Sequence, residues 1–121
     1  MVYKYINPEY LDSISGDDPQ MIEEIVNMFR DQVMEFHQDM NNLYAQKNYM
    51  LLGMLAHKAK SSVAIMGMTE LASMLKTFEL SAKEEKDTQL YMSYINKFGE
   101  DTKAAISELD DLVKERLNKR G

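Results

Sequence analysis

The residues whose types and spacing could do chemistry lie in one short stretch, AHKAKSSVAIMG, at residues 56–67. Read as a helix, this stretch places Lys60 one turn after His57, so that both side chains can reach the same ligand. A neutral imidazole offers a nucleophilic nitrogen near pH 7, and the ammonium of Lys60 supplies a point charge for a phosphate-like anion. The hydroxyl of Ser61 could donate a hydrogen bond to the same anion.

The residues that surround His57 on the helical wheel are small. Gly53, Ser61 and Ala64 fall within about 40° of His57 at the angular spacing of a helix. A glycine inside a helix costs roughly 1 kcal/mol relative to alanine, so Gly53 indicates that clearance matters there. We expect another protein to approach the ring over this face. The predicted docking surface consists of Gly53, Met54, Ala64, Ile65 and Gly67.

Apolar periodicity predicts helices throughout the chain, because apolar residues recur about every 100° over long segments and no segment alternates like a strand. Pro8 and Pro19 follow the N-cap residues Asn7 and Asp18, so each begins a helix. Further helices are predicted from Asn48 to about residue 66, from Thr69, and from Asp87, with Gly67 as a C-terminal stop. The predicted core side of the third helix contains Leu52, Leu55, Ala59, Val63 and Met66.

Four substantial helices and a short leader, joined by short turns, favour an all-α fold. The expected architecture is an antiparallel up-down four-helix bundle with a short N-terminal leader helix. The length of 121 residues corresponds to a single domain, residues 1–121.

The composition excludes several classes of function. The chain has no cysteine, which excludes disulfides, thiolate metal sites and cysteine nucleophiles. Its net charge of -6 argues against nucleic acid or an anionic membrane as a partner, because both need a basic face. There is no signal-peptide core at the N-terminus and no apolar run long enough to span a bilayer. We therefore expect a soluble, cytoplasmic protein.

Other candidate sites carry little signal. His37 lies at the edge of the core stripe of the second helix and is expected to be a boundary histidine without chemistry. No histidine pair at i, i+4 and no Glu-x-x-His motif occurs, so no metal site is expected. Neither phosphate-loop pattern, GxxxxGK[ST] or GxGxxG, is present. Gly99 is expected to weaken or bend the last helix.

The stretch around His57 resembles the signature of histidine-containing phosphotransfer (HPt) domains. That family's helix typically reads as alanine-histidine, two residues, lysine-glycine-serine-serine-alanine, and a glycine after a short apolar stretch. Ala56, His57, Lys60 and Gly67 match this signature, whereas Ser61 stands where the family usually has glycine. The segment LASMLKTFE, residues 71–79, also resembles the family's next helix.

The resemblance implies a phosphorelay intermediate of two-component signalling. His57 would accept a phosphoryl group from an aspartyl phosphate on a receiver domain and pass it to another receiver. Lys60 would offset phosphate charge, and Ser61 and Gly53 would shape the approach. The implied partners are receiver domains of response regulators or hybrid histidine kinases, which would bring an acidic pocket and Mg²⁺. The chain itself would need no cofactor and would not be an enzyme with autokinase activity.

Two alternatives remain open at this point. One is a pseudo-HPt domain or helical adaptor that binds receiver-like partners without carrying phosphate. The presence of both His57 and Lys60 weighs against it. The other is a haem-binding bundle with methionine and histidine as axial ligands. The chain has no CxxCH motif, and the wheel turns His57 away from the core where a haem would sit.

Overall fold

The computed structural model describes residues 3–16 and 18–120, with side chains as far as residue 118. All regular secondary structure in this part of the chain is helical, which confirms the predicted all-α class. The helices are α1 (Pro8–Ser15), α2 (Pro19–Ala45), α3 (Tyr49–Ile65), α4 (Thr69–Lys83) and α5 (Tyr91–Arg120), and a 3-10 turn at Thr88–Leu90 precedes α5. No helix among these residues combines the length and the apolar character that crossing a bilayer requires.

Short polar side chains determine where three of the helices begin. The side-chain oxygens of Asn7, Asp18 and Asn48 accept hydrogen bonds from backbone N–H groups in the first turns of α1, α2 and α3, as N-cap residues do. The prediction that Thr69 caps α4 was wrong. Thr69 is the first helical residue, and Met68 occupies the cap position without a side-chain hydrogen bond.

Helix α3 lies between two neighbours, α2 and α4, and is therefore buried over a wider arc than the sequence predicted. Leu52, Ala59, Val63 and Met66 are buried as expected, and Leu55 is half-buried. The burial extends to Ala56, Gly53 and Ser62, which the wheel did not assign to the core. The exposed residues of α3, His57 among them, lie on the outer side of the helix.

Contacts between α3 and α4 pair residues whose numbers run in opposite directions along the two helices. The backbone at Gly53 lies against Lys83, and one turn later the side chain of His57 meets that of Glu79. The spacing of four residues is the same on both helices, so the two helices stay in register over this turn.

Helices α2 and α5 pack together on a different side of α2 from α3. Arg30 forms an ion pair with Asp110, and the ring of His37 lies over Gly99. A Cβ atom on Gly99 would be 2.5 Å from Nε2 of His37. Helix α5 continues through this position without interruption. The expectation that Gly99 weakens or bends α5 stays a prediction, and the structure shows that this glycine makes room for the half-buried His37.

Candidate functional site

His57 lies in the middle of α3, and its side chain is 56 % exposed. The residue before it, Ala56, is fully buried, so the helix backbone beneath the ring is anchored in the core. The exposed ring stands at the edge of the groove between α3 and α4, because its partner, Glu79, belongs to α4. A nucleophile on a rigid helix is held more accurately than one on a loop.

Glu79 is the residue of the site that the sequence analysis missed. Its two carboxylate oxygens both lie 3.0 Å from Nδ1 of His57, although Glu79 itself is only 6 % exposed. One signal was present in the sequence. Glu79 directly follows the core residue Phe78, and a carboxylate on a buried helix face requires a hydrogen-bonding partner.

Lys83 completes a chain of three side chains. Its Nζ atom donates a hydrogen bond to Oε2 of Glu79 at 2.8 Å. This hydrogen bond is the main reason that the pKa of Glu79 falls to about 2; burial opposes the shift, and the hydrogen bond with His57 assists it. The carboxylate is therefore ionised at neutral pH despite its burial.

The ionised carboxylate determines which nitrogen of His57 carries the proton. A carboxylate can only accept hydrogen bonds, so Nδ1 of His57 must be the protonated nitrogen that donates to Glu79. In a neutral ring the other nitrogen, Nε2, then keeps its lone pair. The hydrogen-bond network thus assigns the tautomer whose free nucleophilic atom is Nε2.

Gly53 serves the packing of α4 and not the approach of a partner. A Cβ atom at this position would lie 2.9 Å from Cγ of Lys83 and 3.0 Å from the backbone oxygen of Glu79. The residue is buried, so the prediction that placed Gly53 on the docking surface was wrong. The clearance that the sequence indicated is real, but α4 occupies it.

Gly67, which was also predicted to belong to the docking surface, is half-buried at the end of α3. It ends α3 with a left-handed backbone, at φ 76°, which confirms its predicted role as a helix stop. A Cβ atom there would lie 2.5 Å from the Cβ atom of Asn7. The side of Gly67 that lacks a side chain therefore faces the N-terminal segment, whose Asn7 N–H also donates to the carbonyl of Met66 at 3.0 Å.

The other predicted docking residues lie on the exposed arc of α3. Met54 is 48 % exposed and Ile65 is 45 % exposed, and Ala64 is exposed as well. Met50 and Leu51, which the sequence analysis did not include, add further exposed apolar surface on the same helix. Several apolar side chains on one exposed arc are typical of a protein-binding surface.

The two adjacent serines of the stretch have different roles. Ser62 is buried and donates a hydrogen bond of 2.8 Å to the side-chain oxygen of Gln32, which ties α3 to α2. Ser61 is exposed and Lys60 is half-buried. Neither of these two side chains forms a hydrogen bond or ion pair with the residues that the structure describes, so both are available to a ligand at His57.

The two helices that form the site carry four lysines. Lys58 and Lys60 accompany His57 on α3, and α4 contributes Lys76 and Lys83, while the net charge is -6. Such a local excess of lysine favours an acidic partner or an anionic group. Within the described part of the chain, no cluster of histidine, aspartate and glutamate is suited to hold a metal ion.

Gly53→Ala should disturb the site without unfolding the bundle. The added methyl group collides with α4, and overpacking of this kind costs about 1–3 kcal/mol, against which alanine regains about 1 kcal/mol of helix propensity. We expect α4 to move outwards and the hydrogen bond between His57 and Glu79 to weaken. Ring ¹⁵N shifts of His57 measure this effect, and Ala64→Ser, a small change at an exposed position of α3, is the control. Unchanged ring shifts in Gly53→Ala would contradict the packing argument.

Glu79→Gln should remove part of the acid sensitivity of the fold. The pKa of Glu79 is lowered from 4.5 to about 2, so its ionised form stabilises the fold fully above pH 4.5, and this contribution is lost as the pH falls towards 2. The difference in unfolding free energy between the wild type and Glu79→Gln should therefore shrink over that range. Urea unfolding at pH 7, 4.5 and 3 measures it, with the exposed Glu100→Gln as control. A difference that stays constant down to pH 3 would contradict the assignment.

Comparison with known proteins gives one result. The family model described as Hpt domain matches residues 24–117, which include the whole stretch around His57 as well as Glu79 and Lys83. No curated protein and no solved structure matches the chain significantly. The match extends over most of the 121 residues, and the chain therefore belongs to the Hpt domain family.

Proposed function

We propose that this protein is a phosphocarrier of a two-component phosphorelay, with His57 as the phosphoryl acceptor. The observation that carries the proposal is the contact of Nδ1 with the ionised Glu79, because it leaves Nε2 unprotonated on an exposed ring. The donor is an aspartyl phosphate on a receiver domain, and a second receiver takes the group onwards. Family membership supports this kind of chemistry.

The proposed step needs no proton transfer at the attacking nitrogen. The lone pair of Nε2 attacks phosphorus, the bond between phosphorus and the aspartate oxygen breaks, and the aspartate carboxylate leaves with the electron pair. The ring keeps the proton on Nδ1 and becomes a phosphorylated imidazolium, whose positive charge lies next to the carboxylate of Glu79. Transfer to the second receiver is the same reaction in reverse.

Two neighbours of His57 act on the phosphoryl group in this proposal. The ammonium of Lys60 offsets part of the charge on the phosphoryl oxygens, and the hydroxyl of Ser61 donates a hydrogen bond to one of them. Because phosphoryl transfer depends mainly on positioning and charge stabilisation, these contributions suit a protein that has no nucleotide loop of its own.

The proposed partner supplies what this chain lacks. A receiver domain brings an acidic pocket and its own Mg²⁺, so the chain acts as a carrier without a cofactor and not as a kinase. The lysines around His57 complement that acidic pocket, and the receiver docks over Met54, Ala64 and Ile65. A cytoplasmic location accords with soluble signalling partners of this type.

The arrangement of the helices supports the proposal. We infer that the four long helices form the antiparallel up-down bundle that the sequence predicted, with α1 as the leader. An antiparallel arrangement of α3 and α4 is supported by two contacts, because Gly53 meets Lys83 whereas the later residue His57 meets the earlier residue Glu79. The ion pair between Arg30 and Asp110 fits the same arrangement for α2 and α5.

His57→Gln should abolish phosphate acceptance and leave the fold intact, since an exposed side chain contributes little to stability. The chain has two histidines, so His37→Gln is the matched control and should still be phosphorylated. Each protein is incubated with a phosphorylated receiver and, separately, with phosphoramidate, and the acid-labile adduct is measured by intact mass and ³¹P NMR. No adduct on the folded wild type with either donor would overturn the proposal and favour the non-phosphorylated adaptor.

Ala64→Glu should separate docking from chemistry. The new carboxylate lies about two helical turns beyond His57 and would repel the acidic pocket of a receiver, because like charges at an interface cost several kcal/mol. We expect transfer from a phosphorylated receiver to fall at least about a hundredfold, given that each 1.4 kcal/mol is worth a factor of ten. Loading by phosphoramidate should stay near the wild-type rate. Normal transfer from the receiver would exclude this face as the docking site.

A further inference from the structure

One buried carboxylate is shared by two side chains that can carry positive charge. Oε2 of Glu79 accepts from Nζ of Lys83 at 2.8 Å, and both oxygens lie 3.0 Å from Nδ1 of His57. The side chain of Glu79 is 8 % exposed, whereas those of Lys83 and His57 are 37 % and 56 % exposed. The negative charge of Glu79 is therefore the buried member, and Lys83 and His57, which contact it, are both more exposed.

The protonation state of the His57 ring depends on which cation balances the charge of Glu79. A buried carboxylate without a cationic partner is costly, and it favours a proton on a neighbouring base. With Lys83 in place, the charge of Glu79 is already balanced, and His57 can remain neutral. Without Lys83, the nearest group able to balance Glu79 is His57 itself. A ring that carries protons on both nitrogens has no lone pair on Nε2 and cannot attack phosphorus.

We propose that Lys83 is a positioning residue that keeps His57 neutral and nucleophilic by balancing the charge of Glu79. This proposal rests on the proposed phosphotransfer function, which it extends to the control of the acceptor. The packing supports it, because Gly53 leaves the space in which Cγ of Lys83 lies. The lowered pKa of Glu79, of which the hydrogen bond from Lys83 is the largest cause, agrees with this division of charge.

The other charged groups near the ring do not duplicate this role. Lys58 and Lys60 on α3, and Lys76 on α4, form no hydrogen bond or ion pair with Glu79 among the described residues. Lys83 alone of these lysines contacts the carboxylate that the ring contacts. The effect of Lys83 on His57 therefore acts through a direct contact with the buried Glu79, and salt should screen it less than the charge of lysines without such a contact.

The first experiment measures the protonation of the His57 ring in the absence of phosphate. Ring ¹⁵N spectra of His57 at pH 7 are recorded for the wild type, Lys83→Met, Lys83→Gln and Lys83→Arg. Lys86→Met is the matched control, because Lys86 is an exposed lysine paired with Glu84. We expect one protonated nitrogen in the wild type, Lys83→Arg and the control, and two in Lys83→Met. Lys83→Gln, which keeps a hydrogen-bond donor without the charge, should resemble Lys83→Met.

The second experiment measures the rate of loading by phosphoramidate between pH 6 and 9. The ratio of variant to wild-type rates removes the pH dependence of the donor. Lys83→Met should load roughly tenfold more slowly at pH 7, because a tenfold excess of the protonated over the neutral ring corresponds to one pH unit. Its rate should approach that of the wild type at high pH. Lys83→Arg should restore the rate.

The outcomes distinguish this proposal from the proposed function. Wild-type ring spectra in both Lys83→Met and Lys83→Gln would overturn the role of Lys83, even where loading is slow, because slow loading alone would then reflect a structural defect. A slow rate that is equal at every pH would overturn it as well. If the wild type itself takes up no phosphate, the phosphocarrier function fails, while the ring spectra still decide whether Lys83 controls the protonation of His57.

Discussion

The close approach of α3 and α4 at Gly53 is the constraint on which the site depends. The backbone oxygen of Glu79 would lie only 3.0 Å from a Cβ atom at Gly53, so any larger residue holds the two helices apart. One turn further along, the same separation sets the 3.0 Å contact between His57 and Glu79. A glycine buried between two helices thus determines the geometry of a hydrogen bond at the surface.

Burial on the other sides of α3 makes this geometry rigid. Ala56, next to His57, is fully buried, and the hydrogen bond from Ser62 to Gln32 fixes α3 against α2. The exposed ring consequently belongs to a helix that is held from two directions, and its polar contact with Glu79 points back into the protein. In the proposed function, this arrangement preorganises His57, so that little ordering would remain when a receiver domain docks.

The sequence predicted what depends on a single helix and missed what depends on its neighbours. Periodicity placed His57 on the outer face of α3, and local side chains marked the starts of α1, α2 and α3. The same periodicity could not show which helix faces Gly53. The space beside this glycine was therefore assigned to a partner protein, although α4 fills it. Glu79 and Lys83 were missed for the same reason, because their role arises only from the register of α4 against α3.

The carboxylate of Glu79 stabilises two forms of the His57 ring, the protonated form and the phosphorylated form, and cannot easily favour one over the other. A protonated ring and a phosphorylated ring are both cations at Nδ1, so a carboxylate that stabilises one also stabilises the other. Glu79 without a partner would favour phosphohistidine but would equally favour the protonated ring that cannot react. In the proposed function, the hydrogen bond from Lys83 weakens the attraction of Glu79 for both cations, and the half-buried Lys60 offsets charge on the phosphoryl group. In the proposed relay, the separate roles of Lys83 and Lys60 let His57 accept the phosphoryl group at neutral pH and still release it. Reversible transfer requires both.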